Sequence, residues 1–144
     1  MKRLRQIVKI ILVLFLINAL LHKVNYAQEA SVNNKIFQLC KKSISFSDTN
    51  KNKALTYAEK ALSFAKTTND TCLFAEPYYA KAVAYQKNSE PIKSADYYIR
   101  AYNYSEKCDN VKTAIKQANN LGVLYRSIKQ NEKAKEFIEY RECL

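Results

Sequence analysis

A period of forty residues runs from Lys35 onward, and it narrows the possible folds more than any other feature of this chain. Units starting at Lys35, Ala75 and Ile115 align without gaps. Their eleventh positions hold Ser45, Tyr85 and Tyr125, their nineteenth Lys53, Lys93 and Lys133, and their twentieth Ala54, Ser94 and Ala134. The twenty-third position is aromatic each time (Tyr57, Tyr97, Phe137), and Ala61 and Ala101 share the twenty-seventh, where the third unit has Arg141. Recurrence at this length marks stacked supersecondary units, each unable to bury its apolar face alone.

What the units are made of follows from what they lack. The 144 residues include one Gly and two Pro, where average usage would put the pair near about 12%. Hairpin turns and phosphate-cradling loops need glycine, so hairpin-rich sandwiches and glycine-loop nucleotide folds are excluded. The chain is expected to be all-α. Ala118, Leu121, Gly122 and Tyr125 have the spacing of one helix face, partnered by Ala134, Phe137 and Ile138. Ala54, Ala58, Ala61, Leu62 and Ala65 form a stripe of small residues, and Ile92, Ala95, Tyr98, Ile99 and Tyr102 a larger one. Polar stops such as Asp48-Thr49-Asn50, Asn69-Asp70-Thr71 and Asn88-Ser89-Glu90-Pro91 separate them. Helices are expected over 35–47, 51–66, 72–87, 91–106, 111–128 and 132–142, paired in units 35–74, 75–114 and 115–144.

The third unit, Asn120-Leu121-Gly122-Val123-Leu124-Tyr125 followed by Ala134 and Ile138, resembles a tetratricopeptide repeat (TPR). The second matches with Ala82, Tyr85, Ser94, Tyr98 and Ala101, and the first keeps Ala54 and Ala61 but has Lys41, Lys42 and Ser45 in its opening helix. The period is longer than the family's usual length of about 34, and the family's late proline is absent. The resemblance implies an α-solenoid of three antiparallel helix pairs in a right-handed superhelix. In it Ala82, Tyr85, Tyr98, Ala101, Leu121, Gly122, Tyr125 and Ala134 are structural, and the aromatic stripe is core. It further implies a concave surface made by the first helix of each unit. That surface presents Glu76, Tyr79, Val83, Gln86 and Lys87 from one unit, and Lys116, Asn119, Val123, Arg126 and Ser127 from the next. Tyr79, Val83, Gln86, Lys116, Asn119, Val123 and Arg126 are the candidate partner-binding residues, suited to a peptide or partner helix. The family's carboxylate clamp needs Lys and Asn where this chain has Leu39 and Ser43, and only Lys116 matches it.

Residues 1–27 read as a signal peptide. Lys2, Arg3, Arg5 and Lys9 precede the apolar run Ile10–Leu21, which is broken only by Asn18; Ala27 precedes a plausible cleavage point. The alternative is an uncleaved anchor; residues 28–34 are expected to be a short linker. The formal charge is +11 for the whole chain, and +6 without residues 1–27, from 19 basic and 13 acidic residues. These charges are dispersed along helices, so nucleic-acid binding is not indicated. The lone His22 lies in the leader, so no histidine-based catalytic or metal site is available beyond it. An enzyme, a cofactor and a metal are not expected. Cys40, Cys72, Cys108 and Cys143 form no Cys-x-x-Cys pair. In an exported chain, Cys72 and Cys108 would meet at adjacent ends of an antiparallel pair, with free buried thiols as the alternative.

The functional expectation is an extracytoplasmic scaffold or adaptor binding a protein or peptide. The alternative is a sensory repeat region, because the chain also resembles the extracytoplasmic repeats of bacterial histidine-kinase or regulator-type sensors. On that alternative the chain is a fragment; otherwise it is a stand-alone module completed by a partner or by self-association.

Overall fold

The computed structural model describes the backbone of residues 2–142, with side chains described for all of these except 2–4, 7–8 and 140–142. Six helices are present: α1 (Lys2–Phe46), α2 (Lys51–Lys66), α3 (Ala75–Lys87), α4 (Pro91–Lys107), α5 (Val111–Ser127) and α6 (Asn131–Glu142). There is no strand among the described residues. Side-chain caps set several starts. Asn50 Oδ1 accepts from Lys53 N at 2.9 Å and Asn110 Oδ1 from Thr113 N at 3.2 Å, while Pro91 occupies the first turn of α4. The expected helix over 72–87 begins later. A 3₁₀ turn covers Thr71–Phe74, capped by Asp70, and the α-helix starts at Ala75. An α-helix from residue 72 would require an N–H from Pro77 and would press its ring on the preceding turn; starting at Ala75 puts the proline in the first turn.

Helix ends explain how the chain turns with so little glycine. Glu90 N donates to Tyr85 O (3.0 Å), Asn110 N to Ser105 O (2.9 Å) and Gln130 N to Tyr125 O (2.9 Å). Each bond closes over a left-handed residue: Ser89 (φ 58°), Asp109 (φ 52°) and Lys129 (φ 60°). The single Gly122 lies elsewhere, inside α5. A Cβ there would sit 2.9 Å from Ile138 Cγ1 and 3.5 Å from Ala134 O, so the α5–α6 crossing requires a residue without one.

The chain divides into two compact units, Met1–Asn34 and Lys35–Leu144. The first is helical throughout its described length, including 28–34, where a linker was expected. No Gly or Pro interrupts α1, and Ala27, Gln28, Glu29 and Ala30 are compatible with its continuation. From Ile10 to Leu21 every large apolar side chain is at least 47% exposed. This helix is long and apolar enough, by length and composition, to cross a membrane.

In the second unit, helices pack in chain order, α2 on α3, α3 on α4, α4 on α5 and α5 on α6. Partners run antiparallel: Phe74 meets Tyr104, Tyr79 meets Tyr98, and Ser94 Oγ donates to Ala82 O at 2.9 Å. Small residues make the crossings close. Ala54, Ala58, Ala61, Ala65, Ala80, Ala82, Ala84, Ala101 and Ala118 are all wholly buried. Larger side chains, among them Tyr98, Tyr102, Leu121, Leu124 and Tyr125, fill the core of α3–α6. Cys72 and Cys108 are disulfide-bonded and tie the start of one helix pair to its end. Cys40 is a buried free thiol on α1, and Cys143 lies outside the described residues.

One detail of the repeat departs from the gapless alignment. Phe46 stacks on Tyr57 (centroids 5.7 Å apart), Tyr85 on Tyr97 (5.4 Å) and Tyr125 on Phe137 (5.8 Å). A lysine covers the first ring of each pair at 5.3, 5.5 and 5.4 Å: Lys53, Lys93 and Lys133. Phe46, and not Ser45, is therefore the counterpart of Tyr85 and Tyr125, and Ser43 the counterpart of Ala82. Ser43 Oγ donates to Ala54 O at 2.8 Å across the same crossing. Because α2, α4 and α6 begin forty residues apart, the offset lies in the first turn. There Asn50 N donates to Phe46 O at 2.8 Å with no left-handed residue, and the turn is one residue shorter.

Candidate functional site

The candidate residues lie in rows along the first helix of each pair. On α3 the row is Glu76, Tyr79, Val83 and Gln86; on α5 it is Lys116, Asn119, Val123 and Arg126. The corrected register gives α1 the row Phe37, Cys40 and Ile44 with Lys41 beside it, continued by Ser47 and Asp48 in the turn that follows the helix. Cys40 and Ile44 then take the places assigned above to Leu39 and Ser43, and neither supplies the Lys or Asn of a carboxylate clamp.

The rows are not equally available. Val83 is 8% exposed and belongs to the core, so it offers no surface to a partner. It belongs to one buried cluster with Ala95 and Tyr98 of α4 and Ala114, Ala118 and Leu121 of α5. Gln86 is half-buried, and its Oε1 accepts from the Tyr98 hydroxyl at 2.7 Å. Tyr79 tilts against Tyr98 (centroids 5.9 Å apart) and lies beneath Lys116, whose Nζ is 4.1 Å from its ring centroid. The α3 members are thus largely spent on packing α3 against α4 and α5. On α5, Lys116, Val123 and Arg126 are exposed and Asn119 is half-buried. At equivalent positions Val83 is 8% and Val123 60% exposed. The residues assigned structural roles lie inside: Ala82, Tyr98, Ala101, Leu121, Gly122, Tyr125 and Ala134 are buried, and Tyr85 is half-buried under Lys51 and Lys93.

α3 brings Lys87 Nζ to 3.1 Å from Asp48, next to the α1 row. Glu76 also faces Cys40, whose thiol is pushed up to about 12 mainly by burial, with that carboxylate adding to the shift. α5 in turn lays Lys116 over Tyr79. Phe37 (52% exposed) and Lys41, its neighbour one helical turn on, are surface features that the gapless alignment obscured. Their i, i+4 spacing was the available signal.

No group of three His, Cys, Asp or Glu able to hold a metal occurs among the described residues. A shallow open depression along α2 is lined by Asn52, Leu55, Thr56, Glu59, Lys60 and Ser63. Comparison of the chain with protein-family models, curated proteins and solved structures returned no match.

Proposed function

We propose that Lys35–Leu144 is a tetratricopeptide-like α-solenoid that binds a protein partner, acting outside the cytoplasm. The observation carrying the binding reading is the contrast between Val83 and Val123. The same row position is buried in one repeat and 60% exposed in the other, beside the exposed Arg126. The ring pair with its lysine, present three times, supports the solenoid. Export is supported by the basic start, the exposed apolar stretch of α1 and the Cys72–Cys108 bond, which persists in oxidising compartments. Affinity capture from envelope extract, using the full chain and a Val123→Glu variant, tests the binding reading. A partner recovered by the parent chain and lost by a variant of equal melting temperature is expected. Identical recovery by both, or recovery of nothing, overturns it.

A further inference from the structure

We propose that copies of this chain stack head to tail, with Glu139 on α6 of one copy pairing with Lys42 on α1 of the next. The contact uses faces other than the exposed α5 row, so it goes beyond the binding reading above and does not depend on it.

The pairing follows from how the helix pairs already stack within the chain. α2 packs on α3 and α4 on α5, in each case the second helix of one pair on the first helix of the next. The ring stacks fix which residues correspond. Lys42, Lys81 and Leu121 each stand four residues before the first ring of a stack (Phe46, Tyr85, Tyr125). Glu59, Ile99 and Glu139 each stand two residues after the second ring (Tyr57, Tyr97, Phe137). At the α2–α3 junction these two positions form an ion pair, Glu59 with Lys81. At the α4–α5 junction they are apolar: Leu121 is buried in the cluster against which Ile99 packs. Two members remain, Lys42 in the first pair and Glu139 in the third. Together they reproduce the ionic junction in the same sense, with the cation on a first helix and the carboxylate on a second.

Both groups are available for it. Lys42 is exposed and makes no ion pair among the described residues. It lies over the Tyr57 ring at 5.8 Å, yet Lys81 lies closer to Tyr97, at 4.3 Å, and still holds Glu59. A ring contact leaves ammonium N–H groups to donate to a carboxylate. Glu139 is exposed and meets Lys135 of its own helix at 3.5 Å, a solvent-exposed pair of the kind that contributes little. The surrounding charge has the matching sign on each side. Residues 35–66 hold seven lysines against Asp48 and Glu59, and both of these acids are already paired with lysines of α3. α6 holds Glu132, Glu136, Glu139 and Glu142 against three basic residues. Because each copy offers a different face, the contact is heterologous and growth is not limited to two copies.

Sedimentation of the full chain in detergent, which shields the apolar stretch of α1, tests this over a range of concentrations. Association through that stretch would not respond to Lys42 or Glu139. The parent chain should form larger species as concentration rises. Lys42→Glu and Glu139→Lys, each alone, should raise the concentration required by about tenfold or more. An equimolar mixture of the two variants should associate as the parent does, because each supplies the charge that the other lacks. The double variant Lys42→Glu/Glu139→Lys, with the charges exchanged, should do the same. A parent chain that stays monomeric at every concentration, single variants that associate like the parent, or a mixture no better than its components overturns the proposal.

Discussion

Gln117 is the residue whose chemistry fits its surroundings least. It is wholly buried on α5, and neither its Nε2 nor its Oε1 has a hydrogen-bond partner among the described residues. Asn120 Nδ2, one turn further on, is in the same position. A buried polar group left unpaired costs about 1–3 kcal/mol. Gln117→Met, which keeps the volume and removes both polar atoms, should therefore raise stability by about 1–3 kcal/mol. A urea unfolding midpoint that rises with an unchanged slope is the expected result; a fall would mean that the amide is bound in solution. Nothing in the sequence marks Gln117, because a glutamine on an amphipathic helix reads as surface. Gly122 was legible for the opposite reason. A lone glycine inside a good helix pattern has to be there for packing, and Ile138 and Ala134 supply that packing.

Element by element, the starts of α2, α4, α5 and α6 were readable within a residue, because Asn50, Pro91, Asn110 and Asn131 mark them chemically. The register of α1 was not. A gapless alignment rests on matched residue types, and Lys42 and Ser45 gave weak matches that one dropped turn residue turns into Ser43 and Phe46. The missing residue has no signature of its own. It is visible only in the ring stack of Phe46 on Tyr57. The Cys72–Cys108 pair was readable as a possibility from antiparallel geometry, since it needs only the two ends of one helix pair to be neighbours. The bond spans 36 residues, so by loop-closure entropy it should contribute about 3–4 kcal/mol. Denaturant unfolding of the Cys72→Ser/Cys108→Ser double variant should show that loss, without a change in helix content under native conditions. A loss below about 1 kcal/mol would show that the open loop already holds its ends together.

Across the whole molecule, titratable groups buried in different helices are shifted the same way, and together they predict how folding responds to alkali. Cys40 on α1 is raised from 9.0 to about 12, by burial first and Glu76 second. Burial raises Tyr98 on α4 and Tyr125 on α5 above 10.0, with Tyr79 and Glu136 respectively adding to the shift. For Lys81 on α3 burial acts downward, but its hydrogen bonds to Glu59 and Tyr97 prevail and hold it above 10.5. In every case the folded chain keeps its proton longer than the unfolded chain. As pH rises past 9, 10 and 10.5 the unfolded state deprotonates first, and stability falls. It should therefore be insensitive to these groups from neutrality to about pH 9, then decline by about 1.4 kcal/mol per pH unit for each group engaged. Of these four groups, Cys40 alone is engaged between pH 9 and 10. Denaturant titrations at intervals from pH 7 to 10 should show the decline beginning near 9 in the parent chain. In Cys40→Ala the curve should stay flat across that interval although the variant is less stable overall. Parallel curves for the two proteins would show that the Cys40 thiol does not carry the shift that its burial implies.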